Sequence, residues 1–163
     1  MAQFADERQA IREAIDAAIP LAIEHFGSTA IPGMPAKPII DIMIGADRQH
    51  WSAIIQALQC LAYVHWTDNP DPDREFLVKG MPPCGARRTH HVLLCEKDSP
   101  FWERLLFRDY LQHHADERQA YADLKAQLAA RYPKDREAYT QGKAALVAAI
   151  TGRARAWRRV WLR

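Results

Sequence analysis

Over residues 4–19 the apolar positions Phe4, Ile11, Ile15 and Ile19 recur at helical spacing between charged ones. That pattern predicts an amphipathic helix, which Pro20 stops. Leu21-Ala22-Ile23-Glu24-His25-Phe26 then predicts a strand ending at Gly27-Ser28. Residues 29–38 carry Pro32, Gly33, Pro35 and Pro38, too many breakers for a long helix. Ile39-Ile40-Asp41-Ile42-Met43-Ile44 is the most apolar run of the chain, short and β-branched, and reads as a buried strand. Asp47 is placed to cap a helix whose apolar face is Trp51, Ile54, Ile55, Leu58 and Leu61. Two strands are expected at Tyr63–Trp66 and Glu75–Lys79, and a third at Thr89–Cys95. Ser99-Pro100 reads as a helix start, and the pattern stays helical from there, with breaks near His114, Pro133 and Gly152.

A mixed sheet first and helices last define an α+β class. We expect a single domain over residues 1–163, with the sheet at about 21–95 and the helical part at about 99–163. At 163 residues, 48% hydrophobic and 26% charged, the chain can bury a core without disulfides or a structural metal. No stretch reaches the roughly 18 apolar residues of a membrane span, and the charged N-terminus does not resemble a signal peptide. Cys60, Cys84 and Cys95 form no C-x-x-C pair, which argues against a zinc ribbon and for a reducing, cytoplasmic setting.

Charge changes the picture. Residues 1–81 hold six Lys/Arg against eleven Asp/Glu, whereas residues 82–163 hold sixteen against nine. Such polarity suits an anionic ligand, or simply a solvated basic tail, since Arg153, Arg155, Arg158, Arg159 and Arg163 crowd the C-terminus. Within that tail Trp157, Val160 and Trp161 look like a packing stripe. A net charge of +2 without an aromatic-basic strand platform does not favour nucleic acid as the partner.

The sharpest candidate chemistry is a strand, the Gly27-Ser28 corner, a loop, and a second strand bearing Asp41. A glycine corner lets backbone N–H groups and a hydroxyl approach a phosphate, and a neighbouring acid can hold Mg²⁺ against it. A lone acid inside an apolar strand is costly to bury unless paired, metal-bound or at an open sheet end. Taken singly, these features are common.

Their wording is more specific. Glu24-His25-Phe26-Gly27-Ser28-Thr29-Ala30-Ile31-Pro32-Gly33 and Lys37-Pro38-Ile39-Ile40-Asp41-Ile42 resemble the signature of the GrpB family. Arg88-Thr89-His90-His91, Phe107-Arg108-Asp109-Tyr110-Leu111, Tyr121-Ala122-Asp123-Leu124-Lys125 and Tyr139-Thr140-Gln141-Gly142-Lys143 follow in family order, to about residue 150. The resemblance implies a nucleotidyltransferase-superfamily fold, in which a Gly-Ser corner precedes an Asp-x-Asp strand. It also implies a domain type that occurs fused to dephospho-coenzyme A kinases. In active members of that superfamily Mg²⁺ bridges acidic side chains and a nucleoside triphosphate, and a nucleotidyl group passes to an acceptor.

One acid of that pair is missing. Asp41 has Ile39 and Met43 at its two candidate partner positions, and a single carboxylate does not build a two-metal clamp. Glu24 on the neighbouring strand is the candidate second metal ligand beside Asp41, and His90 the candidate at the place of a third acid. His90 and His91 point to opposite sheet faces, so at most one serves the site.

Candidate phosphate or nucleotide contacts are Gly27, Ser28, Thr29 and Lys37, with Arg74, Lys79 and Arg88 as a basic wall. Tyr121 with Lys125 and Tyr139 with Lys143 each share a helix face. Either the tyrosines stack on a base while the lysines hold phosphates, or the tyrosines cover the core and the lysines snorkel.

Two functions follow: a Mg²⁺-dependent nucleotidyltransferase acting on an acceptor hydroxyl or amine, or a non-catalytic nucleotide- or anion-binding module with a degenerate metal site. In both the expected partner is a nucleotide or another phosphorylated small molecule, and no membrane is involved.

Overall fold

The computed structural model describes residues 2–161, and their side chains over residues 3–159. The first unit comprises residues 1–30 and 37–103, and the second residues 31–36 and 104–163. No described helix is long and apolar enough to cross a membrane.

In the first unit α1 (Ala2–Ala14), β1 (Leu21–Phe26), β2 (Ile40–Ala46), α2 (Trp51–Cys60), β3 (Tyr63–His65), β4 (Arg74–Lys79) and β5 (His90–Cys95) build a five-stranded sheet in the order β1-β2-β5-β4-β3. β2 and β5 run parallel, and the other neighbours are antiparallel. Alternation sorts the strands by face. Ile23, Ile42, Ile44, Val92, Leu94 and Leu77 join Ile11, Ile54 and Leu58 in one core under α1 and α2. Each such buried aliphatic side chain stabilises the fold by roughly 1.5–3 kcal/mol. Asp41, Met43, Gly45, His91 and Leu93 take the other face. At its far end Trp102 lies on Gly45, where a Cβ would come within 2.6 Å of the indole.

The second unit holds α3 (Arg104–His113), α4 (Ala115–Arg131) and α5 (Arg136–Trp161). Its core contains Tyr110, Leu111, Tyr121, Ile150 and Ala154, and takes in Ile31 and Met34 from the segment that joins β1 to β2. Trp157 packs edge-on to Tyr110 and His114. Val160 and Trp161, the rest of the expected stripe, lie outside the described side chains.

Several boundaries differ from expectation for identifiable reasons. The first helix ends at Ala14 rather than near 19, because Asp16 accepts the N–H of Ala18 and turns the chain. Asp47 makes no side-chain cap, and precedes a 3-10 turn at Arg48–His50 instead of the α-helix itself. Ser99-Pro100 opens turns, and α3 begins only at Arg104. Gly152 does not interrupt α5: Ile150 and Ala154, fully buried on either side, outweigh the ~1 kcal/mol propensity cost of a helical glycine. All three cysteines are free thiols, with Cys95 buried.

Candidate functional site

β1 ends at Phe26, and the chain turns at Gly27 with φ +70°, a conformation L side chains rarely adopt. Ser28–Ala30 forms a single 3-10 turn, closed by the Ala30 N–H on the Gly27 carbonyl. Thr29 ties the corner down: its hydroxyl donates to the Ile39 carbonyl and accepts from His25 Nε2, 3.0 Å away. The tie brings the corner against the start of β2. A Cβ on Gly27 would stand 2.4 Å from Asp41 Oδ2, so the glycine is what allows the carboxylate to lie there.

The other carboxylate oxygen is engaged as well. Parallel pairing sets Asp41 beside His91, and His91 Nδ1–H donates to Oδ1 at 2.9 Å. That bond leaves the second ring nitrogen, Nε2, buried and without a hydrogen-bond partner. The Asp41 side chain remains about 30% exposed, at the open end of the sheet rather than sealed inside it. Glu24 faces Met43 across β1–β2, on Asp41's face and one diagonal step away. Met43 itself, at the position two residues past Asp41, is fully buried.

His90 does not join this cluster. It points to the α1 face, where its Nε2 lies 3.9 Å from Glu7 Oε2 and burial holds its pKa below the ordinary imidazole value. Lys79 is on that face too, donating to both Glu7 oxygens at 2.8 and 3.0 Å, while Tyr63 donates to Oε1 at 3.0 Å. Burial and Glu7 push the Tyr63 hydroxyl well above its usual pKa. The imidazole beside Asp41 is therefore His91. Sequence alone does not separate the two histidines, because both faces of β5 are apolar (Val92 and Leu94 against Leu93 and Cys95), and only the pairing register with β2 does so.

Of the expected cations, Lys37 is exposed before β2. Arg74 stands 3.6 Å from Asp71 and over the Phe101 ring, and Arg88 lies over Trp66. Among the described residues no group of three His, Cys, Asp or Glu side chains is arranged to hold a metal ion.

Compared with known proteins, residues 1–153 match the family model described as GrpB protein. The chain belongs to the GrpB family. A UPF0157 protein of Pseudomonas aeruginosa is 51% identical over 93% of this chain and 62% of its own length. The glutamate-rich protein GrpB of Alkalihalophilus pseudofirmus is 32% identical over 85% of this chain and 81% of its own. YqkA, a UPF0157 protein of Bacillus subtilis, is 39% identical, and this chain covers 40% of it. The chain thus spans about three-fifths or less of these Pseudomonas and Bacillus relatives. The crystal structure of the conserved protein GrpB from Enterococcus faecalis superposes with a TM-score of 0.81 at 28% identity, over 98% of this chain and 93% of that one.

In this GrpB chain the Tyr-x-x-x-Lys pairs belong to the helical unit. Tyr121 is buried edge-on to Phe107, and burial together with nearby Tyr139 pushes its hydroxyl up to about 12. Lys125 is buried as well and donates to the Pro35 carbonyl at 2.5 Å, which fastens the 31–36 segment to α4. Tyr121 and Lys125 therefore hold the core of that unit. Lys143 is half-buried over the Tyr139 ring at 4.4 Å, and desolvation with nearby Arg136 lowers its pKa.

Proposed function

We propose that this GrpB-family protein binds a nucleoside triphosphate, or a phosphorylated small molecule like it, at the Gly27-Ser28 corner beside Asp41. The observation that carries the reading is the closeness of Gly27 to the Asp41 carboxylate, which puts a side-chain-free backbone corner and an accessible acid at one end of one sheet face. Backbone N–H groups and a hydroxyl at such a corner suit phosphate oxygens.

The donor set suits one Mg²⁺ brought in with the phosphates, since this ion is commonly held by one or two carboxylates plus phosphate oxygens. Asp41 would hold it, with Glu24 as the second candidate, and the ion would neutralise phosphate charge. A two-metal clamp does not fit: Met43 occupies one acid position and Ile39 the other, and His91 already takes one oxygen of Asp41. This favours a nucleotide-binding module over a nucleotidyltransferase.

Thermal unfolding with ATP, CTP and GTP, each with and without Mg²⁺, tests the reading. A ligand at a hundred times its Kd stabilises the fold by about 2.7 kcal/mol. We expect at least one nucleotide to raise Tm with Mg²⁺ and Asp41→Asn to reduce that rise. No shift with any nucleotide at millimolar concentration would reject the reading.

A transferase remains the second reading, favoured by Glu24 sharing Asp41's face. Pyrophosphate released from a triphosphate by the wild type, and not by Asp41→Asn, would put it first.

A further inference from the structure

Among the described residues Trp66 is the large apolar side chain left in solvent, 40% exposed. It directly follows β3 and extends its ladder, its N–H bonding the Phe76 carbonyl at 2.8 Å. Tyr63 and His65 face α1's side of the sheet, bonded to Glu7 and Glu75, so alternation places Trp66 on the opposite face, that of Asp41 and His91. Arg88 holds its guanidinium over the indole, 5.4 Å from the ring centroid, and makes no ion pair with a described carboxylate.

An exposed indole forfeits burial, and a guanidinium without a counter-ion is a donor fork without an acceptor. A planar ring that carries hydrogen-bond acceptors and an anionic chain satisfies both: the ring stacks on the indole, and the guanidinium bonds its acceptor atoms. Asp41 pairs with His91, His91 with Val78 and Val78 with Val64, so Trp66 lies three strand spacings across the sheet and two residues along it, roughly 16 Å from Asp41. An extended nucleoside triphosphate covers such a span between its phosphates and its base.

We propose that Trp66 and Arg88 form the base-stacking subsite for the nucleotide whose phosphates sit at the Gly27-Ser28 corner, a proposal that rests on the nucleotide reading above. The subsite reads the base mainly by its π-face, so it distinguishes a nucleotide from a bare polyphosphate more strongly than one base from another.

The test compares binding of ATP and inorganic tripolyphosphate, both with Mg²⁺, to the full chain and to Trp66→Ala, Trp66→Phe and Asp41→Asn. Wild type should bind ATP roughly five- to a hundredfold more tightly than tripolyphosphate, the range of one base stack. Trp66→Ala should erase that difference while tripolyphosphate binding stays unchanged, Trp66→Phe should keep most of it, and Asp41→Asn should weaken both ligands. ATP, and not tripolyphosphate, should quench a tryptophan emission component that Trp66→Phe lacks. The subsite is overturned if Trp66→Ala binds ATP as wild type does, or loses ATP and tripolyphosphate equally, while Asp41→Asn still weakens both. Failure of wild type to bind either ligand would overturn the nucleotide reading, and the subsite with it.

Discussion

Gly27 and Asp41 fit together only because the glycine has no side chain: a Cβ there would come within 2.4 Å of Asp41 Oδ2 at a φ of +70°. Gly27→Ala should therefore cost about 2–3 kcal/mol, from the left-handed backbone and from the displaced carboxylate. It should also abolish any nucleotide-induced rise in Tm. Urea unfolding with and without ATP checks both, and an unchanged midpoint would contradict the geometry.

His91 holds Asp41 by one 2.9 Å bond between adjacent parallel strands. Replacing it with Phe leaves Oδ1 without this donor and should cost about 1–2 kcal/mol. His91→Asn, whose amide N–H can occupy much the same place as Nδ1, should restore at least half of the loss. A larger loss in His91→Asn than in His91→Phe would show that ring packing against Phe76, rather than the bond, is what matters.

On the opposite face Glu7 gathers the Lys79 ammonium and the Tyr63 hydroxyl and so fastens α1 to the sheet. Glu7→Ala should destabilise by about 2–3 kcal/mol, below the full cost of breaking a buried pair because Lys79 keeps access to water. Glu7→Gln, which keeps an acceptor for Tyr63, should cost less. Hydrogen exchange should show α1 amides losing protection first.

Burial lowers the His90 pKa from its ordinary 6.5, so the unfolded chain takes up this proton before the folded one does. Stability should accordingly be unaffected by His90 above about pH 6.5, and should fall as pH drops from there towards the lower folded value. His90→Gln should flatten that part of the pH–stability curve. A slope that persists in the variant would assign it to another group.

Lys125 is committed to the Pro35 carbonyl and to the core beside Tyr121. Lys125→Met should lower stability by about 1–2 kcal/mol, and should change ATP affinity by less than about twofold on the scale where 1.4 kcal/mol is tenfold. A selective loss of ATP binding in a variant of native stability would return this lysine to phosphate contact.

Much of this molecule was legible in local patterns. The apolar run around Asp41, the Gly27-Ser28 corner and the breaker-rich loop after it each need only nearest-neighbour chemistry, and all three stand in the fold as read. Helix ends were less legible, because a competing side-chain bond at Asp16 or burial on either side of Gly152 decides them.

Periodicity along the chain thus sufficed for the α+β class and for a glycine corner leading into an acid-bearing strand, since those depend on spacing and backbone freedom. Which groups meet required the pairing of distant strands. The register of β5 on β2 put His91 rather than His90 beside Asp41, and the register of β4 turned Lys79 towards Glu7. A shift of one residue sends every side chain to the other face, and apolar residues on both sides of β5 leave nothing in the local pattern to choose between them.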